Sequence, residues 1–206
     1  MQLPNNKEQV PFAHYLARCR LLEPQEAARR CGVRFFEENQ SFSVRFLGTD
    51  YRIFLPEYEF CTGEENAPAL CSMPCRTFLL RFLLEGRAAV PSDRFVTFRE
   101  MPWGEAYNAP YTGRCLERAA RCFGTNPDAF CAACSKMGAK KLRHGDAGYE
   151  FEILPAYRMQ MLVWTGDEEF PPSSQILYTD NFADAFSAED RVVAAELLIC
   201  AIRENL

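Results

Sequence analysis

The sequence predicts an α+β fold in a single domain, with an antiparallel or mixed sheet packed against several helices. Three observations predict it. Ser41 to Phe46 and Tyr51 to Leu55 are extended runs separated by a glycine-containing turn, and Tyr149, Phe151 and Ile153 alternate strictly with Glu150 and Glu152. Between and after these runs lie segments of helical spacing bounded by capping residues. The 206 residues suffice for one sizeable core, and no Ser/Gly-rich linker or shift in composition divides them, so one domain over residues 1–206 is expected. Seventeen phenylalanines make that core aromatic.

In chain order, Phe12, Leu16 and Cys19 follow helical spacing. Pro24 suits the first turn of a second helix that Gly32 ends. The hairpin follows, its turn read as Gly48-Thr49-Asp50 and its second strand continuing toward Phe60. Asn66 to Ser72 reads as a loop. Cys75 to Glu85 is apolar on nearly all sides and stops at Gly86, which predicts a buried helix crossing the core. Phe95 to Arg99 is a short extended piece running into the turn Met101-Pro102-Trp103-Gly104. Tyr111 to Phe123 returns to helix and closes at Gly124, and Asn126 with Pro127 caps and opens another that ends at Gly138, so the two form a helical hairpin. Lys140 to His144 pairs with the alternating strand, which is expected to be half-buried. Tyr157 to Trp164 is a deeper strand, and Gln175 to Tyr178 a shorter one. Ser187 with Asp190 resembles a capping box for a last helix from Ala188 to about Glu204.

Composition narrows the function classes. Apolar residues at 48% and charged residues at 25% are ordinary for a globular chain, and the net charge of −5 comes without a basic cluster. Phosphate recognition needs concentrated Lys and Arg, so nucleic-acid and anionic-membrane partners are not expected. Arg20, Arg29, Arg30 and Arg34, the nearest approach to a patch, are spread over the two predicted N-terminal helices. Met1 to Val10 lacks the pattern of a secretory signal, and no apolar run reaches the ~18 residues of a spanning helix, so a cytoplasmic location is expected. In that compartment the ten cysteines read as reduced thiols, metal ligands or small core residues, not as a disulfide framework. P-loop, G-x-G-x-x-G, H-E-x-x-H and G-x-S-x-G motifs are all absent.

Four groups of residues could carry chemistry. Gly166 to Pro172, Gly-Asp-Glu-Glu-Phe-Pro-Pro, presents Asp167, Glu168 and Glu169 at a strand end stiffened by paired prolines. These carboxylates could hold a hard cation, work as an acid and base, or bind an amine if they converge with Asp146 or Asp180. The plainer reading is a solvated loop bridged to Arg99 or Arg158. Arg99, Glu100, Trp103 and Tyr107 form a polar and aromatic mixture that either lines a ligand pocket or clamps a loop. Cys115, Cys122, Cys131 and Cys134 could in principle bind zinc or an iron–sulfur cluster, but Cys115, Ala119 and Cys122 fall where small core residues of a helix belong. Cys71 with Cys75 is a looser pair, and a redox role for the Cys131/Cys134 pair is disfavoured by the helical turn that precedes Cys131. Of the two histidines, His144, two positions before Asp146, is the better base and His14 a helix-face residue.

Phe98-Arg99-Glu100-Met101-Pro102-Trp103-Gly104, Tyr107, Gly145-Asp146-Ala147, Leu154-Pro155, Val163 to Pro172 and Ile176-Leu177-Tyr178 together resemble DUF3786, a bacterial and archaeal family. The similarity is seen mainly over residues 95–200, and its most specific part is Trp-x-Gly-Asp-Glu-Glu-Phe-Pro. It implies an anaerobe's protein working near redox or corrinoid metabolism. The four closely spaced cysteines of an added iron–sulfur segment are not found here.

The expectation for function is a small molecule, metal or tetrapyrrole-like cofactor held in a pocket between Arg99 to Tyr107 and Asp146 with Asp167 to Phe170, the acids being Asp146, Asp167, Glu168 and Glu169. Two alternatives stand beside it. One is an enzyme with Glu168 as general base and Arg99 steadying an anionic substrate; the other is a ligand-free interaction module docking through the same loop. Neither cofactor identity nor oligomeric state follows from the chain.

Overall fold

Helix-forming spacing and caps set the N-terminal elements of the protein, whose computed structural model describes residues 7–63 and 72–206. Helix α1 spans Gln9–Cys19. Helix α2, Pro24–Cys31, starts with proline in its first turn, where Glu23 accepts from the Glu26 N–H, and ends at Gly32 with φ 67°. Arg34 lies beyond both helices, in strand β1, Arg34–Phe36.

Strands β2, Ser41–Phe46, and β3, Thr49–Phe54, form the expected hairpin with a shorter turn than the sequence suggested. Leu47 and Gly48 both have positive φ, 47° and 81°, the geometry that matches the twist of a two-residue hairpin, so Thr49 and Asp50 are free to pair within the strand. The second strand does not run on to Phe60. A turn with Tyr58 at φ 55° reverses the chain into a separate strand β4, Glu59–Thr62, and the sheet is ordered β1-β2-β3-β4. Of the expected loop 66–72 only Ser72 is among the described residues; it caps α3, Met73–Glu85, by accepting from the Cys75 N–H. Helix α3 buries Cys75, Phe78, Leu79, Leu80, Phe82 and Leu83, as its apolar surface requires.

The second sheet is antiparallel throughout, in the order β5-β9-β8-β7-β6: Phe95–Thr97, Ser173–Thr179, Tyr157–Trp164, Ala147–Leu154 and Lys140–Lys141. Strand β7 is buried on both faces apart from Glu152, where half-burial was expected. Glu150 tolerates this because Arg158 and Gln160 donate to its carboxylate at 2.8 and 3.0 Å. The helix expected from Tyr111 starts earlier, with α4 at Gly104–Tyr111, passes through a wider turn at Thr112–Leu116 after Pro110, and continues as α5, Glu117–Phe123. Helix α6, Pro127–Lys136, folds back on it, with Phe123 and Phe130 ring centroids 5.0 Å apart. A short α7, Phe182–Ala185, which the sequence did not reveal, precedes α8, Ala188–Glu204.

The two sheets meet where the Leu47 N–H donates to the Ile153 carbonyl. Aromatic contacts carry the core from one sheet to the other. Phe46 packs on Phe78, Phe78 stacks on Phe186, and Phe186 meets Tyr157 and Phe182. Tyr178 then links Phe182 to Phe98, which stacks on Tyr111. The result is a single α+β body. No helix among the described residues is long and apolar enough to cross a membrane.

Candidate functional site

The end of that aromatic series supports a cleft. After β5, Thr97 and Glu100 form a reciprocal cap around the turn Phe98–Glu100, and the Gly104 N–H donates back to the Met101 carbonyl. Gly104 has no room for a side chain, since a Cβ there would lie 2.0 Å from the Phe98 carbonyl oxygen. The tight turn leaves Trp103 at φ 63°, a left-handed conformation unusual for a bulky residue, with its side chain directed outward and 75% exposed.

Facing this turn is the start of α8. Ser187 accepts from the Asp190 N–H at 3.3 Å, and the Asp190 carboxylate accepts from the Ser187 N–H at 3.1 Å and hydroxyl at 2.6 Å. Burial pushes the Asp190 carboxyl above its ordinary range, while the Ser187 hydroxyl and the Arg81 guanidinium oppose that shift. Arg81 approaches Asp190 at 2.9 Å through both Nη2 and Nε.

One turn on, Arg191 is only 1% exposed. Its Nε donates to the Ser187 carbonyl and its Nη2 to the Pro102 carbonyl, which ties α8 to the Trp103 turn. Its guanidinium lies 5.5 Å from the Phe98 ring centroid, and its buried Nη1 has no hydrogen-bond partner among the described residues. Desolvation lowers the Arg191 pKa, which nevertheless leaves a guanidinium charged at neutral pH.

Between these elements lies an open cleft of about 660 Å³, lined on one side by Pro102, Trp103 and Tyr107 and on the other by residues 183–189 and Arg191. Its wall combines the apolar Phe186 with the carboxylates of Asp184 and Glu189, and Glu189 is already engaged by Arg114 at 3.0 Å.

The residues singled out in the sequence separate into groups. Trp103 and Tyr107 line this cleft; Arg99 is turned to Glu105 in an exposed ion pair, and Glu100 is used by the Thr97 cap. Asp146 accepts from the Thr165 N–H and hydroxyl, both at 2.8 Å, which hold its carboxyl below the ordinary range. Asp167 accepts from the Glu169 and Phe170 N–H groups at 2.8 and 2.7 Å, closing its own turn. Glu168 and Glu169 are exposed. Arg158 is paired with Asp93 and Glu150, not with the acidic loop, whose Pro172 packs against Gly124. None of Asp146, Asp167, Glu168 and Glu169 lines the Trp103 cleft.

Cys115 and Cys134 are buried, while Cys122 and Cys131 are partly exposed. Burial pushes the Cys115 thiol up to about 12 and the Cys134 thiol up as well, the opposite of what a thiolate ligand needs. Among the described residues no group of three or more His, Cys, Asp or Glu is placed to hold a metal ion. Cys71, half of the looser pair, lies outside the described residues. His14 meets the Tyr15 ring edge-on at 5.1 Å, and His144 is exposed in the β6–β7 turn.

Residues 23–201 match the family model described as Domain of unknown function (DUF3786). The chain belongs to that family. The match takes in both walls of the cleft, Trp103 to Tyr107 and residues 183–191, in this DUF3786 protein. No curated protein and no solved structure matches the chain. Arg191 escaped the sequence reading of this family member, although a signal existed: Ala188, Arg191, Ala195, Leu198 and Ile202 recur at spacings of three and four, which puts the arginine on the buried face of α8.

Proposed function

We propose that this DUF3786 protein binds a small molecule in the cleft between the Trp103 turn and the start of α8. The observation that carries the reading is Trp103. A large indole held outward at φ 63° costs backbone energy and leaves apolar surface in water, so neither its conformation nor its exposure serves stability. Beside it, Tyr107 and Phe186 supply further aromatic surface, and the polar groups of α8 supply orientation, the composition of a ligand cleft. The acids of the 166–172 loop take no part in this reading, because their hydrogen bonds close the loop on itself.

The reading includes a cytoplasmic location, which nine free cysteines among the described residues suit. A thermal-shift screen of metabolites and cofactors against wild-type protein and Trp103→Ala tests the binding function. Hits are expected to raise the melting temperature of the wild type and to leave Trp103→Ala unmoved, while the unliganded variant melts no lower than the wild type. Shifts of equal size in both proteins would place the ligand elsewhere.

A further inference from the structure

Resting on the reading of the cleft as a ligand site, we infer that its occupant is an organic anion, a carboxylate with a flat apolar body, whose charged end is received by Arg191 and the first amides of α8. Two independent features meet at that point. Helix α8 runs for 17 residues, and its first backbone N–H groups, at Ala188 and Glu189, have no acceptor available within the helix by virtue of their position. Both residues line the cleft.

The second feature is Arg191. It lines the same cleft, is almost wholly buried, and satisfies Nε and Nη2 on backbone carbonyls while Nη1 has no partner among the described residues. A buried guanidinium N–H without an acceptor is unfavourable, and an incoming carboxylate oxygen relieves it with a charge-assisted bond. Among the described residues no carboxylate forms an ion pair with this cation: Asp190, whose charge acts on it from the neighbouring position, is bound to Arg81 and Ser187, and Glu189 to Arg114. Of the two lining carboxylates, Glu189 is offset by Arg114 and Asp184 stands exposed, where water screens it.

The rest of the ligand follows from the rim. Trp103, Tyr107 and Phe186 line the cleft with aromatic surface, which suits a planar body. A carboxylate is preferred to a phosphate because a single buried cation with two amides balances one negative charge.

The test uses benzoate and its neutral isostere benzamide on the Trp164→Phe protein, in which Trp103 is the sole tryptophan because the chain has two. The indole N–H signal of Trp103 is followed by NMR through each titration. Benzoate is expected to shift it saturably, benzamide to bind about tenfold more weakly or worse, and added salt to narrow the difference. Arg191→Gln should bring the two affinities together. If that variant does not fold, the comparison of the two probes on the arginine-containing protein decides alone. Equal binding of benzoate and benzamide overturns the anion inference while leaving the cleft a ligand site. No response to either probe also overturns it, and the Trp103→Ala thermal-shift comparison then judges the cleft separately.

Discussion

Asp146 shows how a single carboxylate can look catalytic in a sequence and serve a turn in the structure. Its acceptor positions are taken first by the Thr165 N–H and then by the Thr165 hydroxyl, and these bonds favour the ionised form. A carboxyl whose folded pKa is depressed contributes stability above its unfolded value of about 3.9, and that contribution is lost as the pH falls through the folded value. Glu100 and Glu105 act in the same direction, Glu100 through Thr97 and Glu105 through Arg99. Thr165→Val removes the hydroxyl and keeps the backbone donor, so the Asp146 midpoint in a carboxyl NMR titration should rise part of the way toward the ordinary value. An unchanged midpoint would show that the Thr165 hydroxyl does nothing for the charge. Arg191 is the opposite case, an ordinary letter in a helix that turns out to be buried with one donor unmatched among the described residues.

Among the elements, α8 ties several helices together, packing against α3, α4 and α6. Its cap was legible because Ser187 and Asp190 stand at the spacing that lets each side chain reach the other's N–H. The structure adds that Asp190 also receives Arg81 from α3, so the cap fastens two helices as well as one end. Ser187→Ala should therefore lower the unfolding free energy by about 1 kcal/mol or somewhat more in urea titrations. A loss within experimental error of zero would mean that Asp190 and Arg81 hold the helix end without the serine. The α4–α5 segment teaches a different lesson. Gly104 and Pro110 argue against helix by propensity, yet the chain is helical from Gly104 because only glycine fits under the Phe98 carbonyl and the Phe98–Tyr111 stack anchors the segment.

For the whole molecule, the cysteines distinguish a core role from a chemical one. Cys19, Cys31, Cys75, Cys115 and Cys134 are buried in the body formed by the sheets and helices, whereas Cys61 is exposed on β4. Burial raises the Cys31 thiol to about 11 and those of Cys19, Cys75 and Cys115 to about 12, which removes the reactive thiolate at neutral pH. A disulfide reagent such as dithionitrobenzoate should label Cys61 in the native protein within minutes and reach the five buried thiols only on unfolding. Mass spectrometry of the labelled peptides checks this, and rapid native labelling of Cys115 or Cys134 would contradict the packing described.

The α+β class, the first hairpin, the helix starts at Pro24, Asn126 and Ser187, and the strand that leads into the Gly166 turn are all readable along the chain. These are local facts, written in periodicity, proline and glycine positions and capping pairs a few residues apart. The acidic Gly166–Pro172 stretch drew the eye for the same reason, since composition shows charge but not the hydrogen bonds by which Asp167 closes its turn. Long-range packing alone brings Trp103 and Tyr107 opposite the start of α8 and lets Arg191 reach Pro102 across 89 residues of chain. Contacts of that separation are set by how the aromatic core packs the helices against the second sheet, which no short-range pattern encodes.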